Sequence, residues 1–276
     1  MALARGLIYE AAVDAGWDEP LSMHSQTDKQ WEALMITACE IQEMYRPAAV
    51  DFWRYPATQH LVRGGLSEQE VRTFIANVFR THFTSPHILA FLYSSMPSHT
   101  SGLLRNNLLE ELGLTGDGPA HPLLLLDLAE GAGFTKAELF QLMGESHDHI
   151  RRVCSGPLPF PTLQAFYLSV LLETEAFEFL LSRYAGPLGA ALHTRYGLTR
   201  QAVCWFDLHA EADIRHAEEG LQVLADFLAF YRIGPDEFEK TRRATFQANV
   251  FLQRDFPEAL SATPTPKLAE TPLCGS

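Results

Sequence analysis

The protein has 276 residues, of which 47% are hydrophobic and 20% are charged, and its formal net charge is -13. This length and apolar fraction suffice for one large globular domain with a substantial core. The negative charge argues against nucleic acid or an anionic membrane surface as a partner, because both bind clustered Lys and Arg. No apolar run approaches the roughly 20 residues that a membrane-spanning helix needs.

Apolar residues recur at helical spacing along most of the chain, and no stretch shows a sustained period of two. We therefore predict an all-α protein, a bundle of roughly eight or more helices in one domain. The predicted organisation is an N-terminal arm over residues 1–27, a helical domain over 28–256, and a flexible C-terminal tail over 257–276.

Capping residues, prolines and glycines predict where the helices begin and end. In chain order, the predicted helices cover residues 29–45, 67–82, 86–95, 103–112, 119–130, 135 to a loop at 145, 162–196, 199–231 and 237–253. Capping boxes at Ser67–Glu70 and Thr135–Glu138 support two of these starts. The polar segment 145–155 is predicted to be an exposed loop, so its His147 and His149 are not interpreted as metal ligands.

The predicted helix over residues 199–231 carries His209, Asp213 and His216. Spacings of four and three residues place these side chains on one helix face. Imidazole and carboxylate are ligands of non-haem iron, manganese and zinc, and helical bundles use such spacings for di-metal centres. A solvated helix face is the competing interpretation. Because Trp205 and Phe206 precede the triad, a polar cluster here would be costly without a partner.

Further carboxylates and a histidine lie on other predicted helices. Glu111 ends one helix and His121 begins the next, so the two can face the same interior point. On the long helix, Glu175 shares a stripe with core residues, whereas Glu178 lies on a less apolar face. A buried carboxylate needs a metal or a strong donor.

The four cysteines, Cys39, Cys154, Cys204 and Cys274, are far apart, and none forms a CxxC motif. We interpret them as small buried thiols rather than a disulfide framework, and we expect a reducing, cytoplasmic location.

Three segments, in this order, resemble the haem-oxygenase-like di-iron oxidases and oxygenases, relatives of thiaminase-like and pyrroloquinoline-quinone-synthase-like helical proteins. They are the segment from His60 to Glu70, the segment from Arg105 to Gly113 with the Gly-rich loop and His121-Pro122, and the His-x3-Asp-x2-His of residues 209–216. The resemblance extends from residue 55 to residue 230, approximately. It implies a haem-oxygenase-like bundle.

The resemblance also implies two Fe(II) ions per chain, with O2 as co-substrate. The implied ligands are Glu111, His121, a glutamate of the long helix, His209, Asp213 and His216. For the long helix we favour Glu175, with Glu178 as the alternative. Some members add a glutamate from an earlier helix, but residues 74–82 offer no inward-facing acid.

The implied activity is oxidation of a small molecule in a biosynthetic pathway. An amino acid, amine or fatty acid would undergo N-oxygenation, desaturation or oxidative C–C cleavage. Two alternatives stay open: a metal-independent thiaminase-like or pyrroloquinoline-quinone-synthase-like enzyme, and a non-catalytic helical interaction protein. A thiaminase-like hydrolase needs a nucleophilic cysteine, yet Cys204 lies five residues before His209 and faces away from the triad. Helical enzymes of this type are often dimers, so a homodimer is one expected assembly.

Overall fold

The computed structural model describes residues 36–116, 118–156, 160–246 and 249–257. Helices fill these ranges, with no strand among them, so the prediction of an all-α bundle is confirmed. In chain order the helices are α1 (Ala38–Arg54), α2 (Pro56–Arg63), α3 (Glu68–His82), α4 (Ser85–Tyr93), α5 (Ser101–Glu111), α6 (His121–Gly131), α7 (Lys136–Ser155), α8 (Leu163–Tyr196), α9 (Cys204–Phe230), α10 (Pro235–Thr245) and α11 (Val250–Asp255). The predicted arm and, apart from residue 257, the predicted tail lie outside the described residues.

The predicted capping boxes form as expected. At the start of α3, the Ser67 hydroxyl accepts a hydrogen bond from the Glu70 amide, and the Glu70 carboxylate accepts one from the Ser67 amide. Thr135 and Glu138 make the same reciprocal pair before α7. These boxes satisfy amides that a helix N-terminus otherwise leaves unpaired.

The predicted loop at residues 145–155 is wrong, because α7 continues through this polar segment to Ser155. Glu145 accepts hydrogen bonds from Gln141 on the same helix and from Arg80 on α3. The Glu145 carboxylate is therefore satisfied on a helix surface. His147 lies exposed within α7, and its ring Nδ1 contacts the Met143 carbonyl oxygen at 2.8 Å.

Two other boundaries differ from the prediction. In the described residues, α1 runs from Ala38 through Pro47 to Arg54 instead of ending at Tyr45. The long α8, by contrast, continues through Pro187 and ends at Tyr196, as predicted. The predicted final helix over 237–253 is instead two helices, α10 and α11. Asn249 is the N-cap of α11, because its side chain accepts a hydrogen bond from the Leu252 amide.

The cysteine prediction also needs correction, because Cys39 and Cys204 are free and exposed. Both lie in the first turn of their helices, α1 and α9, on the side away from the core. None of the helices in the described ranges is both long and apolar enough to span a membrane.

The long helices α8 and α9 pack antiparallel at the centre of the core, and glycines set their register. A Cβ at Gly189 of α8 would lie 2.7 Å from the Cβ of Phe206, and a Cβ at Gly220 of α9 would overlap the Glu175 carboxylate. Only glycine permits so close an approach at these two positions. This register places the middle of α8 beside the His/Asp face of α9.

Candidate metal centre

A tight turn after α5 brings Glu111 to His121. Gly113 has a φ of 65°, and a Cβ there would lie 2.5 Å from the Ala120 amide nitrogen. Both features require glycine. The chain therefore reverses direction, and the last residue of α5 faces the first residue of α6. His121 Nδ1 lies 2.6 Å from Glu111 Oε1, with both side chains buried.

We name Glu111, His121 and His209 the first group, because their ligand atoms lie within 4.8 Å of one another. His209 Nε2 is 3.7 Å from Glu111 Oε1, while its Nδ1 lies 2.7 Å from the Trp205 carbonyl oxygen. A carbonyl only accepts hydrogen bonds, so Nδ1 donates to it and Nε2 faces the group. Ser85 of α4 donates a hydrogen bond to the second Glu111 oxygen.

We name Glu178, Asp213 and His216 the second group, which meets the same 4.8 Å limit. His216 Nδ1 lies 3.5 Å from Glu178 Oε2 and 3.4 Å from Asp213 Oδ1. The other ring nitrogen, Nε2, lies 2.9 Å from the carboxylate of Glu110, which also accepts from Arg215. A carboxylate behind a ligating histidine is the usual way to fix its ring orientation.

The second group fits a bound cation. Asp213 is 1% exposed, and neither of its carboxylate oxygens has a hydrogen-bond partner in the described part of the chain. A buried carboxylate that makes no hydrogen bond costs roughly several kcal/mol. A metal ion removes that cost, and the combination of imidazole and carboxylate in both groups is suited to non-haem iron.

The pKa values of Asp213 and His216 are both raised, which also indicates that the second group favours added positive charge. Burial raises the pKa of Asp213 well above its usual value, and the nearby Glu178 carboxylate raises it further. Burial lowers the pKa of His216, but its ion-pair contacts with Asp213 and Glu178 outweigh burial and bring the value to about 11. Without a metal, protons thus supply the positive charge among these side chains.

The first group behaves differently, because two imidazoles face one carboxylate. Burial raises the pKa of Glu111, but hydrogen bonds and charge from His121 and His209 outweigh it, so the pKa lies well below its usual range. Glu111 is therefore ionised at neutral pH. An ionised carboxylate and two imidazoles are ready to bind a metal without first losing a proton from the acid.

The structure brings together six of the seven sequence-predicted ligands, in the two groups just described. The seventh, Glu175, belongs to neither. Sequence analysis favoured Glu175 over Glu178, whereas the geometry places Glu178 beside Asp213 and His216. The register of α8 against α9 is the reason, because it directs the Glu175 carboxylate at Gly220, one turn beyond His216.

Sequence reasoning missed two residues at the centre. Glu110 directly precedes Glu111 in the sequence, and no sequence signal separates their roles. His82, the last residue of α3, has its ring centroid 5.0 Å from Trp205 and 5.1 Å from Phe177. Burial and then the charge of His209 lower the pKa of His82 to about 3, so its imidazole is neutral.

Comparison with known proteins identifies the family. No curated protein matches the chain. A family model described as "iron-containing redox enzyme" matches residues 72–246, more than half of the chain, and that range contains every residue of both groups. The chain therefore belongs to the iron-containing redox enzyme family of the haem-oxygenase-like superfamily, and is an oxidoreductase.

Proposed function

We propose that the protein is a non-haem di-iron oxidase or oxygenase that uses O2 to oxidise a small molecule. The observation that carries the proposal is the pair of buried three-residue groups, each combining carboxylate with imidazole. Glu111, His121 and His209 would hold one Fe(II) ion, and Glu178, Asp213 and His216 the other. Bound iron supplies the electrons with which O2 is activated.

The protein's own residues orient the ligands and exclude water. The ring centroid of Trp205 lies 4.1 Å from that of His209, and the Trp205 carbonyl oxygen accepts a hydrogen bond from His209 Nδ1. Glu110 fixes His216 from the opposite side, and Ser85 fixes Glu111. Rigid positioning of this kind keeps the reacting groups aligned and lowers the entropic cost of the reaction.

The substrate class follows the expectation from the resemblance: an amino acid, amine or fatty acid from a biosynthetic pathway in the cytoplasm. The reaction would be N-oxygenation, desaturation or oxidative C–C cleavage. A half-buried, neutral His82 beside the first group gives the substrate a polar contact that carries no charge.

Anaerobic titration of chelator-treated protein with Fe(II) tests the proposal. We expect about two iron ions per wild-type chain, as in other bundles with paired carboxylate–histidine sites. His209→Ala and His216→Ala should each bind about one, because each removes a ligand from a different group. Mössbauer spectra of the two variants should then show different iron environments. A wild-type chain that binds no iron, or variants that bind as much as wild type, would contradict the proposal.

A further inference from the structure

A small pocket opens between α5 and α9, next to the second group. Residues of α5 and α9 line most of it, and α8 contributes Glu175. The polar lining consists of Asn107, Glu175, His216 and Glu219. Since His216 also belongs to the second group, the pocket and the candidate metal centre share a side chain.

Two buried oxygens in this pocket have no partner. Glu175 Oε2 and Asn107 Oδ1 make no hydrogen bond with any described residue, although the two residues are only 3% and 7% exposed. The Asn107 amide nitrogen is engaged, because it donates to Glu178 Oε1 at 3.2 Å. Unpartnered oxygens so deeply buried are costly unless a ligand satisfies them.

The absence of a side chain at Gly220 leaves room for the Glu175 carboxylate. The carboxylate lies against Gly220, where any side chain would overlap it. Glu219 is half-buried, and the two carboxylates therefore lead from the surface inward.

We propose that this pocket is a transient binding site for a divalent cation, through which Fe(II) reaches the second group. The inference rests on the proposed di-iron function. The two unpartnered donors are oxygens, which suit a hard, partly hydrated cation, and His216 joins the pocket to the second group, to which the cation would pass. The pocket is far smaller than the roughly 300–1,000 Å³ typical of organic ligand sites, so an ion fits better than an organic amine.

The rate of iron loading tests this role independently of activity. Chelator-treated, full-length protein is mixed anaerobically with Fe(II), and unbound iron is trapped at successive times with a chromogenic chelator. We expect Glu175→Gln and Glu219→Gln to load the second ion about tenfold more slowly, because each removes a carboxylate that concentrates the cation. The final iron content per chain should equal that of wild type.

Two further variants test whether loading depends on the pocket itself. One removes a nearby surface charge outside the pocket, and the other fills the pocket. Glu218→Gln removes an exposed acid next to Glu219 and should load within about twofold of wild type, since it does not line the pocket. Leu103→Trp fills the pocket without changing charge and should slow loading, with circular dichroism reporting the fold.

Wild-type loading rates in Glu175→Gln and Glu219→Gln would overturn the inference while leaving the di-iron proposal intact. A lower final iron content in Glu175→Gln would also overturn it, because Glu175 would then be a resident ligand. A wild-type chain that takes up no iron would instead refute the proposed function itself.

Discussion

The Asp213 side chain should lower the stability of the metal-free protein, although the second group needs it to bind metal. It is almost completely buried, lacks a hydrogen-bond partner in the described residues, and has a pKa raised by burial. We expect Asp213→Ala to stabilise the metal-free protein by about 1 kcal/mol, because it removes a buried carboxylate that makes no hydrogen bond and improves helix propensity. The same variant should lose the iron of the second group.

Urea unfolding in the presence of a chelator measures this effect. Glu211→Ala is the matched control, because Glu211 is exposed two residues earlier on α9. A metal-free Asp213→Ala protein less stable than the Glu211→Ala control would mean that the apoprotein uses the Asp213 carboxylate for support.

The choice between Glu175 and Glu178 shows how far residue types alone can lead. The triad's spacing put three polar side chains on one face, and the structure agrees that His209, Asp213 and His216 are all buried. The two glutamates, however, are three residues apart, so both are near that face. Only the packing of Gly220 against Glu175 decides which carboxylate meets the triad, and such helix register has no local sequence signal.

At the scale of elements, the α8–α9 contact depends on glycine at a position that faces a bulky side chain. Gly189→Ala would place a Cβ 2.7 Å from that of Phe206, so the two helices must separate. We expect a loss of about 1–3 kcal/mol in the free energy of unfolding, as for other overpacked cores. Urea denaturation measures it.

Gly186→Ala on the same helix is the control. Its Cβ would meet the Ala210 Cβ at 3.5 Å, an ordinary contact. The substitution should stabilise the protein by up to about 1 kcal/mol, because alanine favours the helix. Equal effects of the two substitutions would show that the helices are not held at this distance.

The last short helix, α11, contains a second buried acid that is far from the candidate centre in sequence. Burial raises the pKa of Asp255 from 3.8 to about 7, and its Oδ1 has no partner among the described residues. Its backbone carbonyl, by contrast, accepts a hydrogen bond from Asn77 of α3. The Asp255 carbonyl thus anchors α11 to α3, whereas burial opposes ionisation of the Asp255 side chain.

A pH dependence of stability follows. Below pH 3.8 the carboxyl is protonated in the folded and unfolded chains alike, and it costs nothing. Between pH 3.8 and about 7 the unfolded chain releases the proton more readily, so stability falls, by up to roughly 4 kcal/mol in total. Asp255→Asn should abolish this part of the loss. Urea unfolding at pH 5 and pH 8 tests it, and equal pH slopes in both proteins would rule it out.

Boundary predictions succeeded where a local signal existed and failed where tertiary contacts decided. Ser67–Glu70 and Thr135–Glu138 cap their helices through contacts within four residues. The segment after Glu145 is polar and suggested a loop, yet Arg80 of α3 provides a partner that sequence order does not reveal. Similarly, Asn249 starts α11 while its amide nitrogen donates to the Ala48 carbonyl of α1, across almost the whole chain.

At the scale of the whole molecule, the candidate ligands connect four helices that are separated along the chain. The first group joins α5, α6 and α9, and the second joins α8 and α9. Sequence resemblance predicted this set of elements and their order. It did not predict the contacts behind the ligands, such as Glu110 with His216, because these depend on how α5 lies against α9.

Iron should therefore stabilise the described bundle as a unit, and not merely one helix. A ligand at a free concentration 100 times its dissociation constant stabilises the folded state by about 2.7 kcal/mol, which for a domain of this size raises Tm by roughly 5–10 °C. We expect at least this shift on adding Fe(II) anaerobically to chelator-treated protein. Hydrogen exchange should slow in α5, α6, α8 and α9 together, since each carries a ligand.

The His209→Ala/His216→Ala double variant is the control for that experiment, because it removes one imidazole from each group while α9 keeps its length. It should show almost no shift in Tm with Fe(II). If slower exchange were confined to α9 in wild type, iron would be binding to the triad's helix alone. The helices α5, α6 and α8 would then be packed around the metal without holding it, and the two-group arrangement would not be how the protein binds iron.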